Sequence, residues 1–431
     1  MHYHRILNSK KLSIVMGLML ASGTLYAAGF QLNELSPSLQ GTALAGAASA
    51  TDDVSAMFFN PATLSTVQDT QVYAGASVIM PHINVSNTSA SFNYGLGPVN
   101  VNGAASQSNI SPTAYVPDFY IAWDAGKHLK AGVAITSPWG LSTDYNDDWI
   151  GRNNALDSSL QSVNIAPTIA YQINSMWSVG AAVHAQYLNV DYSNSALSVN
   201  PNDGNNADLS GTSWGTGYTL GVLFTPRSGT QIGLSYRSEV QQNVSGTGYV
   251  NSPLANYGGT ANTSLTMPAV AMLSLSQQLA PKWTLLATMQ WTEWSTFNAF
   301  NATLNAYQGP VVIDDSTNWH NTMYYSLGAA YQATSKWVLR GGVAYDESPV
   351  DGQYRGARIP DSNRYLLTLG AGYQASENLS LDFVYEHIFM QNQSIDTTQA
   401  TNVPADILYD SVAADYSGSA DIVGLGFRYR F

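Results

Sequence analysis

The side chains that could carry chemistry are few, and none stands in a pattern that completes a reaction. Gly211-Thr212-Ser213-Trp214-Gly215 fits the string of a nucleophile elbow. That motif works only where a strand turns sharply into a helix. Here a Ser/Asn/Gly-rich stretch leads into a strand-like run, so the string is a coincidence of composition. His82, His128, His184, His320 and His387 lack the i, i+4 spacing of a helical zinc pair and read as lumen or interface residues. Asp147-Asp148 and Asp314-Asp315 fall in loop-like stretches and could hold divalent cations, but solvated loop acids are the commoner case. The chain has no Cys, which excludes a thiolate nucleophile, a thiolate metal ligand and a disulfide. The expectation is no catalytic residue, no metal site and no cofactor: a protein that is not an enzyme.

What must position the remaining candidates is an unusual chain. Only 10% of its 431 residues are charged, while 45% are hydrophobic and 11% aromatic; soluble domains carry roughly 25% charged residues. Disorder is excluded by 26 Tyr, 12 Phe and 10 Trp. A net charge of −13 argues against nucleic acid as a partner, because counterion release needs cations on the protein side. Residues 1–27 read as a secretory signal peptide: a basic head with Arg5, Lys10 and Lys11, an apolar run from Leu12 to Ala21, and a small-residue stretch closing at Ala27. The run is too short for a membrane helix, which needs roughly 20 apolar residues, and no later segment offers one.

Alternation reconciles a charge-poor chain with the absence of apolar helices, since a barrel strand faces lipid with every second residue. Trp283, Leu285, Ala287, Met289 and Trp291 share one face, with Thr284, Thr288, Gln290 and Thr292 opposite. Leu379, Leu381, Phe383, Tyr385 and His387 alternate with Ser380, Asp382 and Glu386, and Trp337, Leu339, Val343 and Tyr345 repeat the pattern. Tight connections are expected at 124–128, 174–176, 226–230, 280–282, 333–336 and 375–378, and long ones around 85–110, 141–158, 194–212, 244–261, 299–318, 347–362 and 391–418. Short and long connections take turns, and together they join fourteen strands. An even number of antiparallel strands with short inner turns and long outer loops predicts an all-β, 14-stranded transmembrane barrel over residues 69–431. Trp177, Trp283 and Trp337, each just after a tight turn, are placed for an interfacial girdle.

The last residues point the same way. Val423, Leu425, Phe427, Tyr429 and Phe431 alternate with Gly424, Gly426, Arg428 and Arg430 up to a terminal aromatic carboxylate. Residues 28–68 break the pattern: they are Ala-rich, carry Asp52 and Asp53, and end in Phe58-Phe59-Asn60-Pro61-Ala62. So compact and apolar a segment is expected as a hatch packed in the lumen rather than as a solvated tail.

With these features in place, the chain resembles the FadL family of outer-membrane transporters for long-chain fatty acids and other hydrophobic compounds. The similarity is carried by Ala28-Gly29-Phe30-Gln31-Leu32-Asn33-Glu34, Asn60-Pro61-Ala62, Ser111-Pro112-Thr113-Ala114-Tyr115-Val116-Pro117, Ile135-Thr136-Ser137 with Gly140-Leu141, Ser235-Tyr236-Arg237-Ser238-Glu239-Val240, and Ile359-Pro360-Asp361 with Arg364. The resemblance implies a Gram-negative outer-membrane location and a fourteen-stranded barrel with an N-terminal hatch. It also implies a path from an outer hydrophobic groove to a pocket beside the hatch, then sideways through the wall at a kinked third strand. The aromatic C-terminus is similar to the signal by which such barrels reach their insertion machinery, and membrane lipid and lipopolysaccharide are the expected surroundings.

Three sets of site residues follow. Asn60, Pro61 and Ala62 are the hatch and gating candidates. Pro138, Trp139 and Gly140 are the lateral-opening candidates, because Pro138 lacks the N–H that a central strand must donate. Phe30, Asn194 and His320 are the ligand-binding candidates. In the fatty-acid branch an Arg and a Lys neutralise the ligand carboxylate; alignment by Tyr187 and by Leu327-Gly328 puts Asn194 and His320 there, with Arg340 or Arg364 as possible substitutes. The expected function is uptake of hydrophobic molecules, fatty acids first, with aromatic hydrocarbons of the same family or a general porin as the alternatives.

Overall fold

The computed structural model describes residues 29–93, 97–253, 256–297, 299–306, 309–400 and 409–431. The expected signal peptide lies outside the described residues.

Alternating residues close into one antiparallel barrel of fourteen strands. In chain order these are β1 Gln71–Asn93, β2 Ala114–Gly126, β3 Leu129–Thr136 with Gly140–Asp144, β4 Asp157–Gln172, β5 Trp177–Asn194, β6 Asn206–Arg227 and β7 Thr230–Arg237 with Val240–Asn251. They continue as β8 Asn256–Met267 with Val270–Ala280, β9 Trp283–Thr292, β10 Thr322–Gln332, β11 Trp337–Asp346, β12 Arg364–Gln374, β13 Leu379–Met390 and β14 Tyr409–Arg430. β1 closes on β14 from Gln71↔Arg430 to Asn93↔Tyr409, with a bulge between Ser86 and Ser89. Closure leaves no open edge, as a sheet in hydrocarbon requires.

The six tight connections lie between β2 and β3, β4 and β5, β6 and β7, β8 and β9, β10 and β11, and β12 and β13. At this end Trp177, Trp283 and Trp337 point outward at 41%, 47% and 43% exposure, the position of a girdle at the inner interface. The long connections are more regular than expected. Around 244–261, β7 and β8 run on to Asn251 and from Asn256, and the 299–318 region holds a hairpin of Ala299–Ala306 and Gly309–Ser316. The outward face of these extensions is polar (Ser245 and Thr247 on β7, Thr260 and Asn262 on β8) because it stands beyond the apolar belt, so the alternation that marks a strand in lipid disappears while the ladder continues.

The core is the lumen. Residues 29–67 fill it with one short helix, Pro37–Gln40, and three 3₁₀ turns at Ala47–Ser49, Val54–Phe58 and Pro61–Thr66. Their Leu35, Leu44, Ala48, Val54, Met57 and Leu64 pack with inward Tyr73, Tyr120, Ala166 and Met272 of the wall.

Candidate functional site

The ladder is interrupted in β3 at Ser137-Pro138-Trp139. Upstream, β3 pairs with both β2 and β4; from Gly140 to Asp144 it pairs with β4 alone. The hatch supplies the missing partner. Leu32 donates its N–H to the Pro138 carbonyl at 2.8 Å, Gly140 donates to the Phe30 carbonyl at 2.9 Å, and Gln31 lies opposite Trp139 as an isolated bridge. On the other side, Ser162 of β4 accepts from the Trp139 N–H at 2.9 Å and donates to its carbonyl at 2.8 Å. A proline that removes one ladder donor thus leaves a slot that three hatch residues occupy as a short strand.

The same three residues place Phe30 in an aromatic box. Its ring meets Trp294 at 4.7 Å, Phe297 at 5.3 Å, Trp319 at 5.8 Å and Trp139 at 6.0 Å, mostly edge to face. Gly29, with φ of +65°, starts this segment and donates its N–H to Asp361 at 3.0 Å. Phe30 and Trp139 are therefore brought together, whereas the other two ligand candidates are not with them. Asn194, at the end of β5, donates to the carbonyls of Asn153 and Ser195 and accepts from Arg358 at 2.9 Å. His320 follows Trp319 in sequence, but its Nδ1 is turned toward Asp351 at 3.7 Å. Arg340 is paired with Asp382 at 2.8 Å and Arg364 with Asp361.

Val190, Tyr192, Leu209, Val244, Ala261 and Ala302 line a narrow apolar space. Arg358 lies 5.3 Å above the Tyr192 ring. This guanidinium, on the connection before β12, had no signal in a strand pattern, because a loop residue's position is fixed only by folding.

Asn60 sits elsewhere, at the inner end of the hatch. It is fully buried and caps the turn that follows, its Oδ1 accepting from Ala62 N at 3.0 Å. Its Nδ2 donates to Ala48 O at 2.7 Å and to Val222 O of β6 at 3.0 Å. The wall admits it through glycines: a Cβ at Gly221 would lie 1.9 Å from Asn60 Oδ1, and one at Gly233 only 1.7 Å from Ala48 O. Asp53 and Asp52 of the hatch pair with Arg428 and Arg430 of β14, each at 2.7 Å. Asp53 is held below the usual carboxylate range by Arg428 and by bonds from Ser55 and Ser38, which together outweigh its burial. These arginines were visible as inward residues of the last strand, but their partners were not.

The Gly211–Gly215 string forms no nucleophile elbow. Ser213 stands mid-strand in β6 and donates to Gln242 at 2.7 Å, with no turn into a helix. Among the described residues no group of His, Asp and Glu could hold a metal ion.

The family model described as "Outer membrane protein transport protein (OMPP1/FadL/TodX)" matches residues 18–431. The long-chain fatty acid transport protein of Escherichia coli O6:H1 is 28% identical over 458 residues, covering 98% of each chain. Outer membrane protein P1 of Haemophilus influenzae is 26% identical, covering 97% of this chain and 98% of its own. In fold, a Pseudomonas aeruginosa FadL homologue superposes with a TM-score of 0.83 at 21% identity, over 94% of this chain and 100% of that one. The Ralstonia pickettii toluene transporter TbuX gives 0.68 at 18% identity, over 93% and 99%. A closed barrel filled by residues 29–67 and matched over nearly its whole length, the chain belongs to the OMPP1/FadL/TodX family of outer membrane transport proteins.

Proposed function

We propose that this outer-membrane transporter of hydrophobic compounds takes up long-chain fatty acids, binding the apolar tail beside Phe30 and releasing it through the wall at Pro138-Trp139-Gly140. One observation carries the reading: residues 30–32 fill the slot in β3 with the same backbone that seats Phe30 in the aromatic box. A tail that takes the place of Phe30 withdraws the strand that closes the wall. Binding and opening are then a single displacement, and the tail leaves directly into lipid without crossing water. The relatives named for long-chain fatty acid transport support the substrate class. Asn60-Pro61-Ala62 fix the inner hatch while the outer segment moves. Lipid and lipopolysaccharide surround the belt, and the insertion machinery reads the aromatic end at Phe431.

The test replaces Pro138 with Val and Gly140 with Thr, which restores a donor and β-propensity to the slot. Uptake of a labelled fatty acid by cells whose only transporter is this variant should fall to background at equal surface expression. Transport that persists through a wall shown to be continuous rejects lateral release.

A second reading, aromatic-hydrocarbon uptake, is favoured by the box itself: four aromatic rings around Phe30 suit a flat neutral ligand. Toluene outcompeting a fatty acid for the purified protein would select it. A general porin would show large steady conductance in a planar bilayer; the packed hatch favours little.

A further inference from the structure

Four arginines that face the hatch or the inner side of the wall are answered by carboxylates. Arg340 pairs with Asp382, Arg364 with Asp361, Arg428 with Asp53 and Arg430 with Asp52. Arg237, the last residue of the inner half of β7, has no carboxylate within ion-pair distance among the described residues. Alternation turns it inward, between outward Tyr236 and the strand break at Ser238-Glu239. Its guanidinium lies 3.7 Å over the Phe58 ring, and Nη2 donates to the Phe58 carbonyl at 2.9 Å. Those contacts use one of five donors and supply no negative charge. His184 of β5, buried at 2% exposure, lies next to Ser238, the residue after Arg237: a Cβ at Gly217 would meet His184 Cε1 at 2.6 Å and Ser238 Oγ at 2.8 Å. A buried guanidinium without a carboxylate is costly unless an anion joins it.

A narrow space bordered by polar side chains lies beside Arg237. Gln31, Asn33, Phe58, Ser235, Gln290 and Arg237 contribute to its lining, between the wall and both ends of the hatch. Gln31 and Asn33 belong to the segment that seats Phe30, so moving Phe30 out of its box also opens this cavity. We propose that Arg237, with His184 as a second donor, is the lumenal receptor for the carboxylate of an acidic amphiphile whose tail has displaced Phe30. The inference rests on the uptake reading above and adds to it the group that separates acids from neutral hydrocarbons. Neutralising the head at Arg237 lets the tail enter the slot without leaving a bare carboxylate in the lumen.

The purified barrel is titrated at pH 8 with a long-chain fatty acid and with the straight-chain alcohol of the same length. Arg237→Met should weaken the acid about tenfold or more and leave the alcohol within about threefold; Arg237→Lys, which keeps a cation, should lose less, and His184→Gln less again. An equal loss for acid and alcohol overturns the proposal, because that is what a mere prop for Phe58 gives. The native protein provides an arm that needs no variant: the acid binds at least as tightly as the alcohol, and a tenfold preference for the alcohol also overturns it. A native protein that binds neither would instead reject the uptake reading itself.

Discussion

The two ends of the hatch are held by different physics. Residues 29–34 are fixed mainly by four ring contacts and by backbone bonds to a break in the wall, with single bonds from Gly29 to Asp361 and from Thr292 to Gln31. Residues 44–60 are fixed by directional bonds from buried polar groups. Asn60 reaches Val222, Ser235 donates to Phe59 O at 2.6 Å, Thr288 donates to Leu44 O at 2.9 Å, and Asp53 and Asp52 pair with Arg428 and Arg430. An apolar ligand can replace ring contacts, which are non-directional. It cannot replace a carboxylate–guanidinium pair, whose loss leaves a buried charge alone. The difference supports the proposed reading, in which the outer end of the hatch is exchangeable, the inner end is anchored and release is confined to the former.

Breaking the anchor should have the largest effect. Asp53→Ala leaves Arg428 with the Asp52 carbonyl, the Ser38 hydroxyl and the more distant carboxylate of Asp382, 3.7 Å away, and removes the acceptor of Ser38 and Ser55. A loss of about 3–5 kcal/mol is expected for such a pair. In planar bilayers this variant should conduct in bursts as the inner hatch leaves its seat, while the native protein stays closed; silent bilayers would show that the ring contacts alone retain the hatch.

Asn60→Ala comes next. It abandons the Ala48 and Val222 carbonyls and the Ala62 N–H in a fully buried site, which costs about 2–4 kcal/mol. The barrel's own ladder is untouched, so heat resistance of the folded band on gels should persist while fatty-acid uptake falls. Unchanged uptake at equal surface expression removes Asn60 from gating.

How much of this contrast was legible in the sequence differs between the two ends. The strand count and all six inner turns could be read because lipid forces alternation and the turns interrupt it. Pro138 betrayed the break in β3 by its missing N–H. The same reasoning applied to Pro268 would have found the second interruption, in β8 before Val270, which is paired across from the one in β7. The inner anchor was half visible: Arg428, Arg430 and Arg237 stand in inward register, but partners some 180 to 380 residues away in sequence follow only from the closed fold. Least legible was the insertion of Phe30–Leu32 into the slot, since a three-residue bridge has no periodicity. For the same reason the substitution of Asn194 for a charged residue looked like a loss of charge, when Arg358 reaches that position from a loop.

The outer end should also respond to pH. Glu34 is buried, and desolvation pushes its carboxyl up to about 7, with Asp346 adding to the rise and Arg364 and two backbone bonds opposing it. Released into water it returns to about 4.5. The seated segment therefore holds its proton over a range where the released one has lost it, so seating weakens as pH climbs from about 4.5 and levels off above 7. Between pH 5.5 and pH 8 the change is about 2 kcal/mol, or roughly thirtyfold in the opening equilibrium. Hydrogen exchange of residues 30–36 should be faster at pH 8 than the intrinsic rate change explains, and Glu34→Gln should flatten that excess. Excess exchange at residues 56–64 instead would place the mobile end of the hatch on the wrong side.

The smallest and most diagnostic change is Phe30→Leu. Leucine keeps most of the apolar area but gives up the edge-to-face term with Trp294 and its neighbours, worth about 0.5–1.5 kcal/mol. The seat is weakened while the slot in β3, made by backbone atoms of Phe30 and Leu32, keeps both of its bonds. If ligand and Phe30 compete for one box, a weaker occupant is easier to displace, so a fatty acid should bind the variant about three- to tenfold tighter than the native protein. If Phe30 instead forms part of the ligand's own wall, losing its ring removes contacts and binding weakens. The sign of the change, read from one titration of each protein, decides whether the outer end of the hatch is a stopper that the ligand evicts or a surface on which it rests.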